Sequence, residues 1–381
     1  MAIRLVDKVR CTGCEACCSA CPKSAISMVA DNEGFYFPFI DDALCVECGA
    51  CVRSCPVLTG PSDGLSLACY AAKSRDRRVV AASSSGGVFS ELASRVLDGG
   101  GIVFGAAYDK ITLHVSHVGI DSPNQIDRLR GSKYVQSEIG DAYQSVAHAL
   151  TEKRKVLFSG TPCQIAGLRA FLKRDDENLF LVDVICHGVP SVKLFDQLKN
   201  ELHNAHGKLY DISFRDKSEG WSSREVTGWY KGLGKIREHG RLNDYFRAFI
   251  GKLTIRRSCE ICRFNAGRSG SDITLGDFWG IGNVCPEFDD DTGVSAVIIH
   301  SKKGANAFDA LKCLKREVAL SDITSSNPSY AAVRRVNPKR SKFMKAVWKV
   351  GISRAYIKCE RESVMSRITR IVMKFVNKVV I

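Results

Sequence analysis

No run of 18 or more uncharged apolar residues occurs in the 381-residue chain, so no segment reads as a conventional transmembrane helix. The first twenty residues lack the apolar core of a secretory signal, and cysteines begin at position 11. Low-complexity segments are absent, and the only internal repeat is a duplicated cysteine run. A DNA-binding helix motif and an aromatic-rich basic strand are also missing. No nucleic-acid partner is therefore expected, although the net charge is +14. That charge is uneven. Residues 331–381 carry fourteen Lys and Arg against Glu360 and Glu362, a net +12, which leaves +2 for the other 330 residues. The length is enough for two or three domains with a sizeable core, and the 45% hydrophobic and 25% charged content is ordinary for a globular protein.

What the chain has in excess is cysteine, seventeen in all. Eight fall in two runs, Cys11-x2-Cys14-x2-Cys17-x3-Cys21-Pro22 and Cys45-x2-Cys48-x2-Cys51-x3-Cys55-Pro56. This is the spacing that holds [4Fe-4S] clusters in bacterial ferredoxins, where the fourth cysteine of each run crosses to the other cluster. The expected ligand sets are Cys11, Cys14, Cys17 and Cys55 for one cluster, and Cys45, Cys48, Cys51 and Cys21 for the other. Two residues between thiols let the chain wrap a cubane tightly, helped by Gly13, Gly49 and Ala50. The prolines end each run and free the fourth cysteine to diverge. Zinc sites and disulfides are the alternatives. Seventeen cysteines would suit a secreted chain, but the cluster spacing points to a reducing cytoplasm. Cys18 lies outside the pattern and reads as a passive thiol.

Between the runs, residues 25–29 and 35–40 read as strands joined by the turn Asp31-Asn32-Glu33-Gly34. Residues 1–60 are thus a ferredoxin module of α+β type, and 59–66 a linker. From residue 67 to about 320 the pattern is α/β. Strands are expected at 68–73, 102–108, 113–120, 155–159, 179–186, 209–215, 224–230, 273–276 and 295–300. Helices are expected at 88–97, 140–150, 162–173, 192–203, 243–251 and 305–315. Residues 331–381 read as a basic helical tail. Within it, 363–381 place apolar residues at helical spacing beside a stripe of Arg367, Arg370, Lys374 and Lys378. Such a helix either packs on the body or lies on an anionic membrane surface.

Two strand–turn–helix junctions, Ser83-Ser84-Ser85-Gly86-Gly87 and Gly160-Thr161-Pro162, present the unhindered amides that suit phosphate; either can also be a plain cap. Cys163, Cys186, Cys259 and Cys262 stand at turns, the last two as C-x2-C flanked by Arg256, Arg257 and Arg263. They could converge on a third cluster; a zinc site or unrelated thiols are the other readings. Cys69, Cys285, Cys313 and Cys359 fit no spacing.

The order of these segments resembles the β-subunit family of coenzyme F-420 hydrogenases and dehydrogenases, in a superfamily that includes plant 7-hydroxymethyl chlorophyll a reductase. The resemblance rests on both cysteine runs, Ser84-Ser-Gly-Gly-Val-Phe89, Gly131-Ser-Lys133-Tyr134, Phe158-Ser-Gly-Thr-Pro-Cys163-Gln, Cys186-His-Gly, Phe214-Arg-Asp-Lys, Cys259-x2-Cys262 and Asp272-Ile-Thr-Leu-Gly-Asp277-Phe-Trp-Gly. It covers roughly residues 1–315 and excludes the basic tail. It implies an α/β flavin-binding domain and an FAD-dependent iron–sulfur oxidoreductase. FAD contacts are implied at Ser85, Gly86, Gly87, Lys133, Tyr134, Gly160, Thr161 and Pro162, with cluster ligation by some of the later cysteines. The clusters would pass single electrons and FAD would exchange pairs with a deazaflavin or another small organic substrate, polysaccharide biosynthesis being one setting. Arg215, Lys217 and Asp277 are candidates to line the flavin site; His187 is a candidate to orient a cluster or donate a proton, or to make a structural hydrogen bond. The implied partners are a redox protein such as reduced ferredoxin and a small-molecule substrate. The expected location is cytoplasmic, with the tail as a means of peripheral contact with the inner face of the membrane. The alternative function is a non-catalytic electron-transfer subunit serving a partner enzyme.

Overall fold

The computed structural model describes residues 5–331 and 337–360. The amphipathic segment 363–381 and Arg334 and Arg335 lie outside the described residues. In the cysteine module, β1 (Ile26–Ala30) and β2 (Tyr36–Ile40) form an antiparallel hairpin with Ile26 opposite Ile40 and Ala30 opposite Tyr36. Asp31 makes the expected turn: its Oδ1 accepts from the amides of Glu33 and Phe35 at 3.0 and 2.9 Å. Phe35 and Phe37 bury their rings beneath the hairpin. Short helical turns, Ala16–Ser19, Ala50–Arg53 and Pro56–Thr59, accompany the cysteine runs. At one turn each they are too brief to leave a periodic signal in sequence.

After the linker come β3 (Ala68–Lys73), α1 (Val88–Asp98), β4 (Ile102–Tyr108), β5 (Val115–Ile120), α2 (Ala142–Thr151), β6 (Val156–Gly160), α3 (Pro162–Leu172), β7 (Leu179–Val184) and α4 (Val192–His206). The chain continues with β8 (Leu209–Asp216), β9 (Glu225–Tyr230), β10 (Gly234–His239), α5 (Asp244–Ile250), β11 (Ile273–Asp277), β12 (Ser295–Ile299), α6 (Lys302–Asp309), β13 (Leu314–Val318) and α7 (Leu320–Ser326). Eight strands form one mixed sheet in the order β13-β3-β12-β11-β7-β6-β4-β5. Direct parallel pairing joins β11, β7, β6 and β4, while β5 and β12 run against their neighbours. Alternation along the central strands feeds two cores. Leu157, Phe180 and Val182 meet α1 and α6 on one face; Phe158, Leu179 and Leu181 meet α2 and α3 on the other. Both faces are covered, so these strands are almost wholly buried, as their near-continuous apolar sequence predicts. A separate three-stranded antiparallel sheet, β10-β9-β8, packs beside it with α4 and α5.

At the sheet edges one expectation fails and one strand was not expected. The helix expected over 305–315 ends at Asp309, and Leu314–Val318 is instead a strand paired with β3. Its sequence, Leu-Lys-Arg-Glu-Val, has helical propensity, and edge pairing overrides it. The edge strand β10, Gly-Lys-Ile-Arg-Glu-His, was hidden by the same polar composition.

The basic C-terminal segment is not wholly a tail. α8 (Arg340–Val350) and α9 (Ile352–Cys359) bury Phe343, Met344, Val347, Ile352 and Ala355 in the core shared with α4, α5 and the module's Phe35 and Phe37. Arg340 is completely buried. It pairs with Glu33 of the hairpin turn at 2.6 Å and donates to the Ile255 carbonyl at 2.8 Å. Residues 340–359 therefore clamp the module to the body. Among the described residues no helix is long and apolar enough to cross a membrane.

Candidate functional site

A cavity of about 550 Å³ opens at the carboxyl ends of β6, β7 and β11, where Gly160, Val184 and Asp277 meet the serine turn after β3. Crevices at the carboxyl ends of parallel strands are where open α/β sheets hold ligands. Of the eight residues expected at a flavin site, Ser85, Gly87, Lys133, Tyr134, Gly160 and Thr161 line it. Gly86 and Pro162 stand behind the wall. Gly86 donates to Ser295 Oγ at 3.0 Å, and a Cβ there would meet the Ala72 carbonyl oxygen at 2.4 Å. Pro162 is buried at the first turn of α3. That helix starts on a capping box: the Thr161 amide donates to Gln164 Oε1 at 3.0 Å.

The polar groups of this wall are largely committed to the fold. Ser85 Oγ donates to the Val294 carbonyl at 2.7 Å. Gly87 starts α1 at φ 90°, and a Cβ there would lie 2.9 Å from Val79 Cγ1. Lys133 Nζ donates to the carbonyls of Arg130 and Leu129 at 2.7 and 3.1 Å, and burial pushes its pKa down to about 7 against the pull of Asp211. Lys217, expected in the site, does not line the cavity. It braces the serine turn from outside, donating to the carbonyls of Ser85, Thr292 and Val80 at 2.6, 2.8 and 2.9 Å.

Arg215 and Asp277 both line the cavity and pair at 2.5 Å. Asp277 also accepts from Trp221 Nε1 at 3.3 Å. Trp221 stacks on Trp279 with ring centroids 4.5 Å apart, and the guanidinium groups of Arg224 and Arg215 lie 4.1 and 4.7 Å from the Trp279 ring. Arg215 Nη2 is buried without a hydrogen-bond partner among the described residues. The cavity thus has a cationic, aromatic end and a serine–glycine end. His117 lines the serine–glycine part, stacked on Phe158 and hydrogen-bonded to the Ser159 carbonyl at 3.1 Å; burial pushes its pKa down to about 4, so it is neutral near pH 7. His187 makes structural contacts with Ser329 Oγ and the Ile250 carbonyl at 3.2 and 3.1 Å. Trp279, Arg224 and His117, which line the cavity, and Trp221, which stacks behind Trp279, were not singled out in sequence, because tertiary packing alone brings them to the site.

The cysteines sort into three groups. Cys21, Cys45, Cys48 and Cys51 line one small hollow in the module. Burial pushes the Cys55 thiol up, with like charge from Cys17 and Cys11 adding to it; Cys14 is raised by burial and by the same two neighbours. After burial, Cys17 also raises Cys51, ahead of Cys21, so the two cysteine runs lie side by side in the module. Cys163 is raised by burial and then by Cys186, Cys259 and Cys262, so the four later cysteines also share one place. Cys163 and Cys262 pack against the small core formed by Cys55, Val57, Ala166 and Phe264, which brings the third group to the edge of the first, and Cys186 lines the cavity. Among the described residues no three His, Cys, Asp or Glu side chains close on a single metal ion.

Comparison with known proteins finds two family models of the "Coenzyme F420 hydrogenase/dehydrogenase, beta subunit". The model of its N-terminal part matches residues 69–143. The model of its C-terminal part matches residues 153–326. A "4Fe-4S dicluster domain" covers residues 10–58. No curated protein matches the chain. Among solved structures, a chain of the F420-reducing [NiFe] hydrogenase complex from Methanosarcina barkeri is similar at 16% identity and a TM-score of 0.46, over 78% of this chain and 91% of that one. The two halves of one family together span most of the body, and the chain belongs to the coenzyme F420 hydrogenase/dehydrogenase β-subunit family, with a 4Fe-4S dicluster domain at its N-terminal side.

Proposed function

We propose that this chain is an FAD-dependent iron–sulfur oxidoreductase that takes electrons in at the module and delivers them to a small organic substrate in the cavity. The observation that carries the reading is Cys186, which belongs to the third thiol group and also forms part of the cavity wall. The donor sets suit the groups assigned to them. Four thiols per site is the ligand set of a [4Fe-4S] cluster, and a long cleft with glycines at helix N-termini suits a dinucleotide. When bound, the clusters supply one-electron transfer and the flavin supplies exchange between single electrons and pairs.

The residues have separable parts in this. Cys11, Cys14, Cys17 and Cys55 would hold one cluster, Cys21, Cys45, Cys48 and Cys51 the second, and Cys163, Cys186, Cys259 and Cys262 a third. Gly87 and Gly160 carry no side chain to block a phosphate, Thr161 with Gln164 caps the helix beside them, and Lys217 keeps the serine turn in place from behind. Arg215, held by Asp277, presents a cation at the aromatic end, where charge beside a flavin or a substrate tunes its electronics. The substrate is a deazaflavin or another planar organic molecule.

Iron, sulfide and flavin counted on one anaerobically purified sample test the reading. About twelve irons and about one FAD per chain are expected. Stoichiometric zinc in place of iron, or a chain that keeps no flavin when FAD is supplied, would overturn it.

A further inference from the structure

Arg256 is one of the largest fully buried side chains in the protein, 1% exposed, and it forms no ion pair with any carboxylate among the described residues. Its guanidinium is satisfied by neutral acceptors. Nε donates to the Cys11 carbonyl at 2.8 Å, Nη1 to Gln136 Oε1 at 3.1 Å, and Nη2 to the Tyr36 carbonyl at 2.8 Å. The rings of Phe37 and Phe35 lie 4.2 and 5.6 Å from its central carbon. A lone buried cation in such surroundings is costly, and folds keep one where a negative charge faces it. The nearest candidate is the Cys11 thiol, whose Sγ is 3.8 Å from Nη2.

Backbone geometry places the same residue in the loop of the third thiol group. The Arg256 amide donates to the Val189 carbonyl, and its carbonyl accepts from the Cys259 amide, both at 3.0 Å. The side chain thus reaches from that loop to the first group. Gly13 leaves room for it: a Cβ there would meet Arg256 Nη1 at 2.8 Å.

We propose that Arg256 is the buried counter-charge of the cluster held by Cys11, Cys14, Cys17 and Cys55, and that it raises that cluster's reduction potential. The inference rests on the ligand reading above. Reduction adds one electron from an external donor, such as a reduced ferredoxin, with no bond made or broken. The added negative charge is stabilised by the fixed cation more than the oxidised form is. Net charge and hydrogen bonds to sulfur are the levers that set such potentials. Arg256 is a positioning and tuning residue, since it acts through Cys11.

The test is an EPR-monitored potentiometric titration of the full-length, anaerobically purified chain, with iron counted on each sample. Arg256→Gln is expected to lower the reduced-to-oxidised ratio of one cluster about tenfold at fixed potential, a fall of about 59 mV for a one-electron couple, while the other steps stay in place. Arg256→Lys, which keeps the charge, should stay within about threefold of wild type by the same measure. If Arg256→Gln sheds iron, Gln136→Glu decides: it leaves the arginine in place, sets a carboxylate beside it and should shift the same step downward. Wild-type potentials in Arg256→Gln and Gln136→Glu, or an equal shift of every step, would overturn the assignment. Iron counted on the wild-type chain tests the cluster reading itself and separates the two failures.

Discussion

The cysteine module and the cavity are built on opposite principles. In the module the candidate ligands are local: three cysteines of each run fall within seven residues, and the fourth expected for each set comes from the other run. In the cavity the candidate residues are distributed. Ser85, Lys133, Gly160, Cys186, Arg215 and Asp277 come from six separate segments of the body, and no two of them are neighbours in sequence. The difference teaches where each region is vulnerable. A single substitution in the module removes a ligand, while the cavity wall is held by hydrogen bonds made away from the ligand space and should yield gradually.

The sharpest contrast is expected from the module. Cys14→Ser should remove about four irons per chain and leave the other module cluster partly intact, as read by iron analysis and EPR. Loss of every cluster together would mean that the sites are not separate. Next in size is the clamp that ties the two regions. Arg340→Ala leaves the buried Glu260 carboxylate, 3.9 Å away, and the half-buried Glu33 without their cation, and a loss of roughly 4 kcal/mol is expected in chemical denaturation of the full chain. A change near zero would show that the module docks without it.

Within the cavity, His117 provides a pH test. Its folded pKa, about 4, lies below the ordinary value of 6.5, so the unfolded chain binds the proton more readily. Its contribution to stability is therefore complete above pH 6.5 and is lost as pH falls toward 4, on the order of 3 kcal/mol. His117→Asn should flatten the difference between stabilities measured at pH 7 and pH 4.5 by an amount of that order. The smallest effect is expected at Gly87. Gly87→Ala must hold φ near 90° and crowd Val79, a cost of about 1–2 kcal/mol, with reduced flavin retention after gel filtration. Full flavin retention there would place the dinucleotide away from this turn.

Much of the module could be read before any coordinates, because its logic is spacing. The hairpin was also legible, since Asp31 and Gly34 are turn residues with a mechanism. In the α/β body the central strands stood out as continuous apolar runs, while the polar edge strands β10 and β13 did not. The serine and Gly160 turns were found as helix starts; that Gly86 and Pro162 support the wall, and that Lys217 braces it from outside, depends on packing. Of the cationic, aromatic end, Arg215 and Asp277 were named from sequence, but its aromatic part was not legible: Trp221 and Trp279 are far apart in sequence and stack only in the fold. In the basic C-terminal segment the charge count hid a packed part: Arg340 pairs with Glu33, and Phe343 and Val347 are buried.

The central claim is that the third thiol group connects the module to the cavity. Flavin reduction by a reduced ferredoxin, followed anaerobically in a stopped-flow spectrometer, tests it in the wild type and in the Cys259→Ser/Cys262→Ser double variant. The account predicts that the variant keeps its FAD and both module clusters, yet loses most of the rate of flavin bleaching. Bleaching at the wild-type rate in a variant that retains its flavin would contradict the connection.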